Sequence, residues 1–164
     1  MTIAEDDAMT PTFDNKDAMI FVGVRAFIPF AEMHKIGGLW EQFGGLYAGI
    51  SDKVGRQCYG LSQRATEPGA GFDYMCAVLS TNADQSTGGL SSFVTPKQTY
   101  AQFEHDGHVS TLHTLCRYIL DDWSKQADPG INFEGGCDLI EAYAEDFDPA
   151  GTGGISVWTP LRAA

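Results

Sequence analysis

The order of segments constrains this chain more than any single residue: a strand, an amphipathic helix and two further strands occur once, and then the same order occurs again. The run MIFVGVRAFIPF, from Met19 to Phe30, is rich in β-branched and aromatic residues and closes on Pro29, the composition of a substantially buried strand. Ile36, Leu39, Trp40, Phe43, Leu46, Tyr47 and Ile50 then recur at steps of three and four, which puts them on one face of a helix. Its glycine pairs, Gly37 with Gly38 and Gly44 with Gly45, each weaken it by roughly 1 kcal/mol per glycine relative to alanine. The helix therefore depends on what it packs against, and a break is expected near Gly44. Gln57 to Ser62 and Gly71 to Ser80 read as a hairpin around a loop containing Glu67, Pro68 and Gly69.

Asn82 to Pro96 is poor in large apolar residues and holds Gly88, Gly89 and several serines, so it reads as a linker. Beyond it, Gln98 to His105 is strand-like. Leu112, Leu115, Cys116, Ile119 and Trp123 form a second helical stripe, ended by Asp128, Pro129 and Gly130. Asp138 to Asp146 and Gly154 to Leu161 are two more strands, joined around Asp148, Pro149 and Gly151. The repetition is of architecture more than of residues. It predicts an α+β fold: a tandem βαββ repeat whose halves, about 17–81 and 97–164, are related by a pseudo-twofold axis within a single domain, 17–164. Two long helices are expected to cover one face of an antiparallel sheet, leaving the opposite face and the seam between the halves as a central ligand groove. Residues 1–16 mix acids with Thr10, Pro11 and Thr12, lack an apolar period, and are expected to be a mobile lead-in.

Bulk properties narrow the function. A length of 164 residues suits one domain and leaves no room for a separate helix-turn-helix reader. Ten Lys plus Arg against 22 Asp plus Glu give a net charge of −12, a field that repels phosphate backbones and attracts cations, so direct nucleic-acid binding is not expected. The same acidity also serves solubility, and charge alone does not separate the two roles. Cys58, Cys76, Cys116 and Cys137 are too widely spaced for a zinc knuckle or a redox pair, and read as buried thiols in a reducing compartment. The N-terminus lacks a basic, then apolar leader and no segment reaches membrane-spanning length, so a cytoplasmic protein is expected. His105, His108 and His113 lie near Glu104 and Asp106, but they fall on a strand end, a turn and a helix, with no pair four residues apart on one helix. No metal is expected. Gly151, Gly153 and Gly154 follow Pro149 in what reads as a hairpin turn, not a phosphate loop, so no cofactor is expected either.

Several residues recur in a telling order: Leu39, Trp40 and Phe43 in the first helix, Tyr59 and Gly60, Phe72 and Tyr74, then Phe103, His105 and Gly107, Trp123, and Glu141 with Tyr143. An acidic Asp-Pro turn and a last strand ending in Pro160 and Leu161 close the series. From Met19 to Leu161 this pattern resembles the GyrI-like family, known as the effector-binding domain of AraC-type and MerR-type drug-sensing regulators, here in a stand-alone form. The resemblance implies a groove in which a strand glutamate, at the base of an aromatic pocket, meets a positive charge on a hydrophobic ligand.

In this chain that glutamate is Glu141, with Glu134 as a competitor just upstream. Alternation favours Glu141, because Leu139, Glu141 and Tyr143 share one strand face, whereas Glu134 runs into Gly135 and Gly136. Ile140, Ala142 and Ala144 make a small apolar face suited to lie under helices, which would turn Glu141 to the other side. The expected ligand-binding set is Glu141, Tyr143, Tyr74, Trp40, Phe72 and Tyr59. A strand carboxylate is as readily a solvated surface group, Trp40 also belongs to a core stripe, and Trp123 is assigned to the core.

Three functions compete on this reading. The first is a binding protein that senses or sequesters hydrophobic cations. The second is a GyrI-like hydrolase of electrophilic cytotoxic molecules, with Glu141 as general base and Tyr143 or Tyr74 as hydrogen-bond donor. The third is an acidic inhibitor of DNA gyrase or another DNA-binding protein, using Asp121, Asp122, Glu145, Asp146 and Asp148.

Overall fold

The computed structural model describes residues 10–63 and 69–163. Its elements, in chain order, are β1 (Thr12–Lys16), β2 (Met19–Pro29), α1 (Lys35–Leu46), β3 (Lys53–Gln63), β4 (Gly71–Ser80), β5 (Ser91–Thr95), β6 (Gln98–His105), α2 (Leu112–Arg117), β7 (Cys137–Tyr143) and β8 (Ile155–Pro160). All eight strands join one antiparallel sheet in the order β1-β6-β8-β7-β3-β4-β2-β5. The two βαββ units are plain in that order. β6-β8-β7 mirrors β2-β4-β3, and the halves meet where β7 pairs with β3.

Two strands lie in segments expected to be irregular. β1 falls in the lead-in and β5 in the linker. Residues 12–16 are therefore not a mobile arm, although residues 1–9 of the lead-in lie outside the described residues. β1 precedes the first half but pairs with β6 of the second, and β5 precedes the second half but pairs with β2 of the first. Before β5 the chain is tied down by the buried Gln85, whose amide nitrogen donates to the Ser51 carbonyl at 3.1 Å and the Asn82 carbonyl at 2.8 Å.

These exchanges dictate the curvature. Only Pro96 and Lys97 separate β5 from β6, and only Asp17 and Ala18 separate β1 from β2, yet each pair of strands lies six positions apart in the sheet. Six spacings of ~4.8 Å in a flat sheet amount to ~29 Å. A two-residue link spans ~11 Å at most. The sheet must therefore curl into a half-barrel. Its inner face closes on itself without a helix, through a file of aromatic rings. Phe21 meets Tyr59 at 5.3 Å, Tyr59 meets Trp158 at 5.8 Å, and Trp158 meets Tyr100 at 6.0 Å between centroids.

Both helices pack on the other face. α1 lays Leu39 and Phe43 on Val22, Val24, Tyr74, Cys76 and Val78. It runs unbroken through all four glycines, with no break near Gly44, because the packing of Leu39 and Phe43 on the sheet holds it; the glycines themselves face open space, with nothing within 4 Å of where a Cβ would sit. The α-helical part ends at Leu46, and Tyr47–Gly49 form a tight 3-10 turn. α2 is shorter as an α-helix than its stripe predicts. Its path continues as a wide π-turn over Tyr118–Asp122 and a 3-10 turn over Trp123–Lys125, and it packs Leu112, Leu115, Ile119 and Trp123 on Phe103, Leu139, Ile155 and Val157. Trp123 is core, 5.2 Å from Phe103. No helix among the described residues is long and apolar enough to cross a membrane.

Candidate functional site

Directly opposed residues in an antiparallel pair share a face, so the registers Glu141↔Gly60, Gly60↔Cys76 and Glu141↔Val157 put Glu141 on the helix face, at the seam between the halves. This reverses one expectation. Ile140 and Ala142 do not lie under the helices; they belong to the inner face with Tyr59, Leu61 and Met75. The alternation was right, but the curl supplies its own apolar interior, which takes the small face and leaves Glu141 between α1 and α2.

Glu141 is 8% exposed, and two phenols donate to one of its oxygens. Tyr74 Oη lies 2.7 Å from Glu141 Oε1 and Tyr143 Oη lies 2.6 Å from the same atom. Oε2 accepts no hydrogen bond among the described residues, and it is not one of the fully enclosed polar atoms without a partner. Burial pushes the Glu141 carboxyl above the ordinary carboxylate range, while the Tyr143 and Tyr74 hydrogen bonds pull it back. Burial and the neighbouring carboxylate both drive the Tyr74 and Tyr143 hydroxyls up, so they remain donors throughout the working pH range.

Trp40, from α1, closes one side. Its ring stands 5.5 Å from Tyr143 and 6.4 Å from Tyr74, and it also packs edge-on to Phe43 at 5.7 Å, so it serves core and site together. Phe72, two residues before Tyr74 on β4, shares its face and stands 6.3 Å from Tyr74 and 6.1 Å from the exposed Phe30. Beside this cluster opens a cavity of about 410 Å³ whose walls include Trp40, Tyr143, Cys58, Val109, Phe147 and Pro149. The exposed Arg56 and Glu145 add charge to it, with the Arg56 backbone N–H donating to Glu145 Oε1 at 3.2 Å. Glu141 does not itself line the cavity. Tyr143 connects the two, its ring in the wall and its hydroxyl on the carboxylate.

Of the six residues expected at the ligand, five gather here: Glu141, Tyr143, Tyr74, Trp40 and Phe72. Tyr59 does not. It points to the inner face against Phe21 and Trp158, because the site-facing position of β3 belongs to its neighbour Gly60. Glu134 is exposed in a 3-10 turn, Phe133–Gly135, apart from the cluster. The cavity walls at Val109, Phe147 and Pro149 were not anticipated, since they come from a single 3-10 turn and from the β7–β8 loop, which carry no periodic signal. The histidines are engaged locally: His105 Nε2 lies 2.9 Å from the His108 carbonyl, and His113 Nδ1 lies 3.1 Å from the Ser110 carbonyl. Among the described residues no three His, Cys, Asp or Glu side chains converge to hold a metal.

A curled pair of βαββ units, with a buried carboxylate and an aromatic cavity at their seam, defines a small-molecule-binding domain. The chain belongs to the GyrI-like small molecule binding domain family, which it matches over residues 9–162. No protein with a curated description matches its sequence. Among solved structures, the fold is similar to that of SAV2435 bound to tetraphenylphosphonium, with 17% identity and a TM-score of 0.67 over 93% of this chain and 94% of that one. It is also similar to EcmrR in a complex with DNA, with 15% identity and a TM-score of 0.67 over 94% of this chain and 58% of EcmrR. A third likeness is to a hydrolase encoded by lin2189 from Listeria innocua, with 13% identity and a TM-score of 0.52 over 94% and 92% of the two chains. At these identities the likeness is one of fold.

Proposed function

We propose that this chain binds hydrophobic cations, and that it senses or sequesters them in the cytoplasm, where its four free cysteines stay reduced. The observation that carries the reading is the state of Glu141. A buried carboxylate holds two phenolic donors on Oε1 and keeps Oε2 unbonded among the described residues, so a desolvated negative charge lacks a cation. An aromatic cation against Trp40 and Tyr143 enters the field of that carboxylate, poorly screened by water, and gains cation–π contacts of about 0.5 to 2 kcal/mol each. That the similarly folded SAV2435 binds tetraphenylphosphonium supports the same ligand chemistry here.

The test is a titration with rhodamine 6G and tetraphenylphosphonium, followed by tryptophan fluorescence, in the parent and in Glu141→Gln. Saturable binding that weakens tenfold or more in the variant, about 1.4 kcal/mol, is expected. Equal binding by both proteins, or none by either, overturns the reading.

A hydrolase is the second reading, favoured by the two phenols that stand ready as donors beside a carboxylate of raised basicity. Turnover of an electrophilic ligand, lost in Glu141→Gln, separates it from binding alone.

A further inference from the structure

β3 separates the strands that carry the two ends of one hydrogen bond. Tyr74 is on β4 and Glu141 on β7, two strand spacings or ~9.6 Å apart. The phenol reaches the carboxylate by lying across β3, and the residue beneath it is Gly60, in register with Glu141 on one side and Cys76 on the other. A Cβ at residue 60 would stand 2.0 Å from Tyr74 Oη and 2.8 Å from both Tyr74 Cζ and Glu141 Oε1.

Backbone conformation does not demand glycine here, since Gly60 is not one of the positive-φ positions. Packing against backbone does not demand it either. Gly23 and Gly71 also exclude a Cβ, but their nearest obstacles are the carbonyl oxygens of Cys76 at 1.8 Å and Ile28 at 2.1 Å. At Gly60 alone of these three the obstacles are side chains, and they are the side chains of the site.

We infer that Gly60 is a positioning residue of the site: the missing side chain at this point of β3 is the space through which the Tyr74 hydroxyl reaches Glu141. The seam is thus asymmetric, one half supplying the carboxylate and the other a gap at the facing position. A side chain at residue 60 displaces the phenol and leaves Tyr143 as the remaining donor to Oε1. The Tyr74 hydrogen bond favours the charged carboxylate, so its loss moves the Glu141 titration to higher pH.

The inference concerns the carboxylate proposed to bind cations, but its test reads the carboxylate directly, so its failure is distinguishable from a failure to bind dyes. The Glu141 carboxyl is titrated by ¹³C NMR on glutamate-labelled protein and assigned by its absence in Glu141→Gln. Gly60→Ala and Tyr74→Phe are expected to raise the midpoint alike, by about half a pH unit or more, and the double variant to match Tyr74→Phe alone. An unchanged midpoint in Gly60→Ala, or additive shifts, overturns the inference. A parallel comparison places Gly60→Ala in a Tyr74→Leu background, where the phenol is gone. There alanine is expected to be neutral or favourable, whereas with Tyr74 present it lowers the urea midpoint or prevents folding. Equal harm in both backgrounds, or failure of both to fold, means that Gly60 acts otherwise than through Tyr74.

Discussion

Trp40 on α1 and Tyr143 on β7 stand edge to face, 5.5 Å apart at an interplanar angle of 81°, and both rings form wall of the same cavity. Among the described residues neither of the other two tryptophans makes a ring contact with this pair: Trp123 packs on Phe103, and Trp158 lies on the inner face against Tyr59 and Tyr100. Trp40→Phe is therefore expected to abolish most of the ligand-induced change in tryptophan fluorescence. It should also weaken binding of an aromatic cation by about threefold to tenfold, from the smaller ring face. Retention of the full fluorescence change would place the ligand elsewhere.

The raised carboxyl of Glu141 makes stability depend on pH in a definite direction. The folded chain holds that proton more tightly than the unfolded chain. The stabilisation is complete below the unfolded-state value and is lost as pH rises through the folded one. Glu141→Gln does not undergo this loss. At neutral pH it is expected to be more stable than the parent, by a gap that shrinks as pH falls below the ordinary carboxylate range. Urea denaturation across a pH series measures it. Cation affinity of the parent should run the opposite way and rise with pH across the same window.

Arg25 and Asp73 form an ion pair on the inner face, with guanidinium nitrogens 2.7 and 3.1 Å from Asp73 Oδ2. Asp73 is buried, while the Arg25 side chain is 36% exposed, so water screens the pair in part. Arg25→Ala is expected to cost about 1–2 kcal/mol of stability by calorimetry or urea. Because the pair is on the face away from Glu141, dye affinity should stay within about twofold of the parent.

Gly37, Gly38, Gly44 and Gly45 occupy α1 with open space where a Cβ would be. Alanine at Gly44 is expected to stabilise the protein by about 0.5–1 kcal/mol, through higher helix propensity and a less flexible unfolded chain. A rise in the thermal midpoint without loss of dye binding is the expected result. A fall would mean that the glycines answer to something other than packing.

The βαββ order, the two apolar stripes and the pairing of Glu141 with Tyr143 were legible because each is a local property of alternation or period. β1 and β5 were not. Thr12–Lys16 and Ser91–Thr95 are short, and polar along much of their length, and what makes them strands is an unpaired edge on β6 or β2 from the distant half. The same non-local cause hid which face Glu141 takes, since the Ile140 and Ala142 side of β7 is buried by curvature that only the short links at residues 17–18 and 96–97 reveal. Tyr59 was misplaced for a simpler reason. One residue's step along a strand changes the face, and the site belongs to Gly60.

The exchanged edge strands make each half incomplete in isolation. A cut anywhere between Thr81 and Leu90 would leave a first fragment whose β2 edge lacks β5 and a second whose β6 edge lacks β1. The halves are clasped like two hands, so they should melt as one unit, and a molecule bound at their seam is tied to the stability of the whole chain. Occupancy would thereby be converted into persistence: the loaded protein is expected to resist unfolding and proteolysis longer than the empty one.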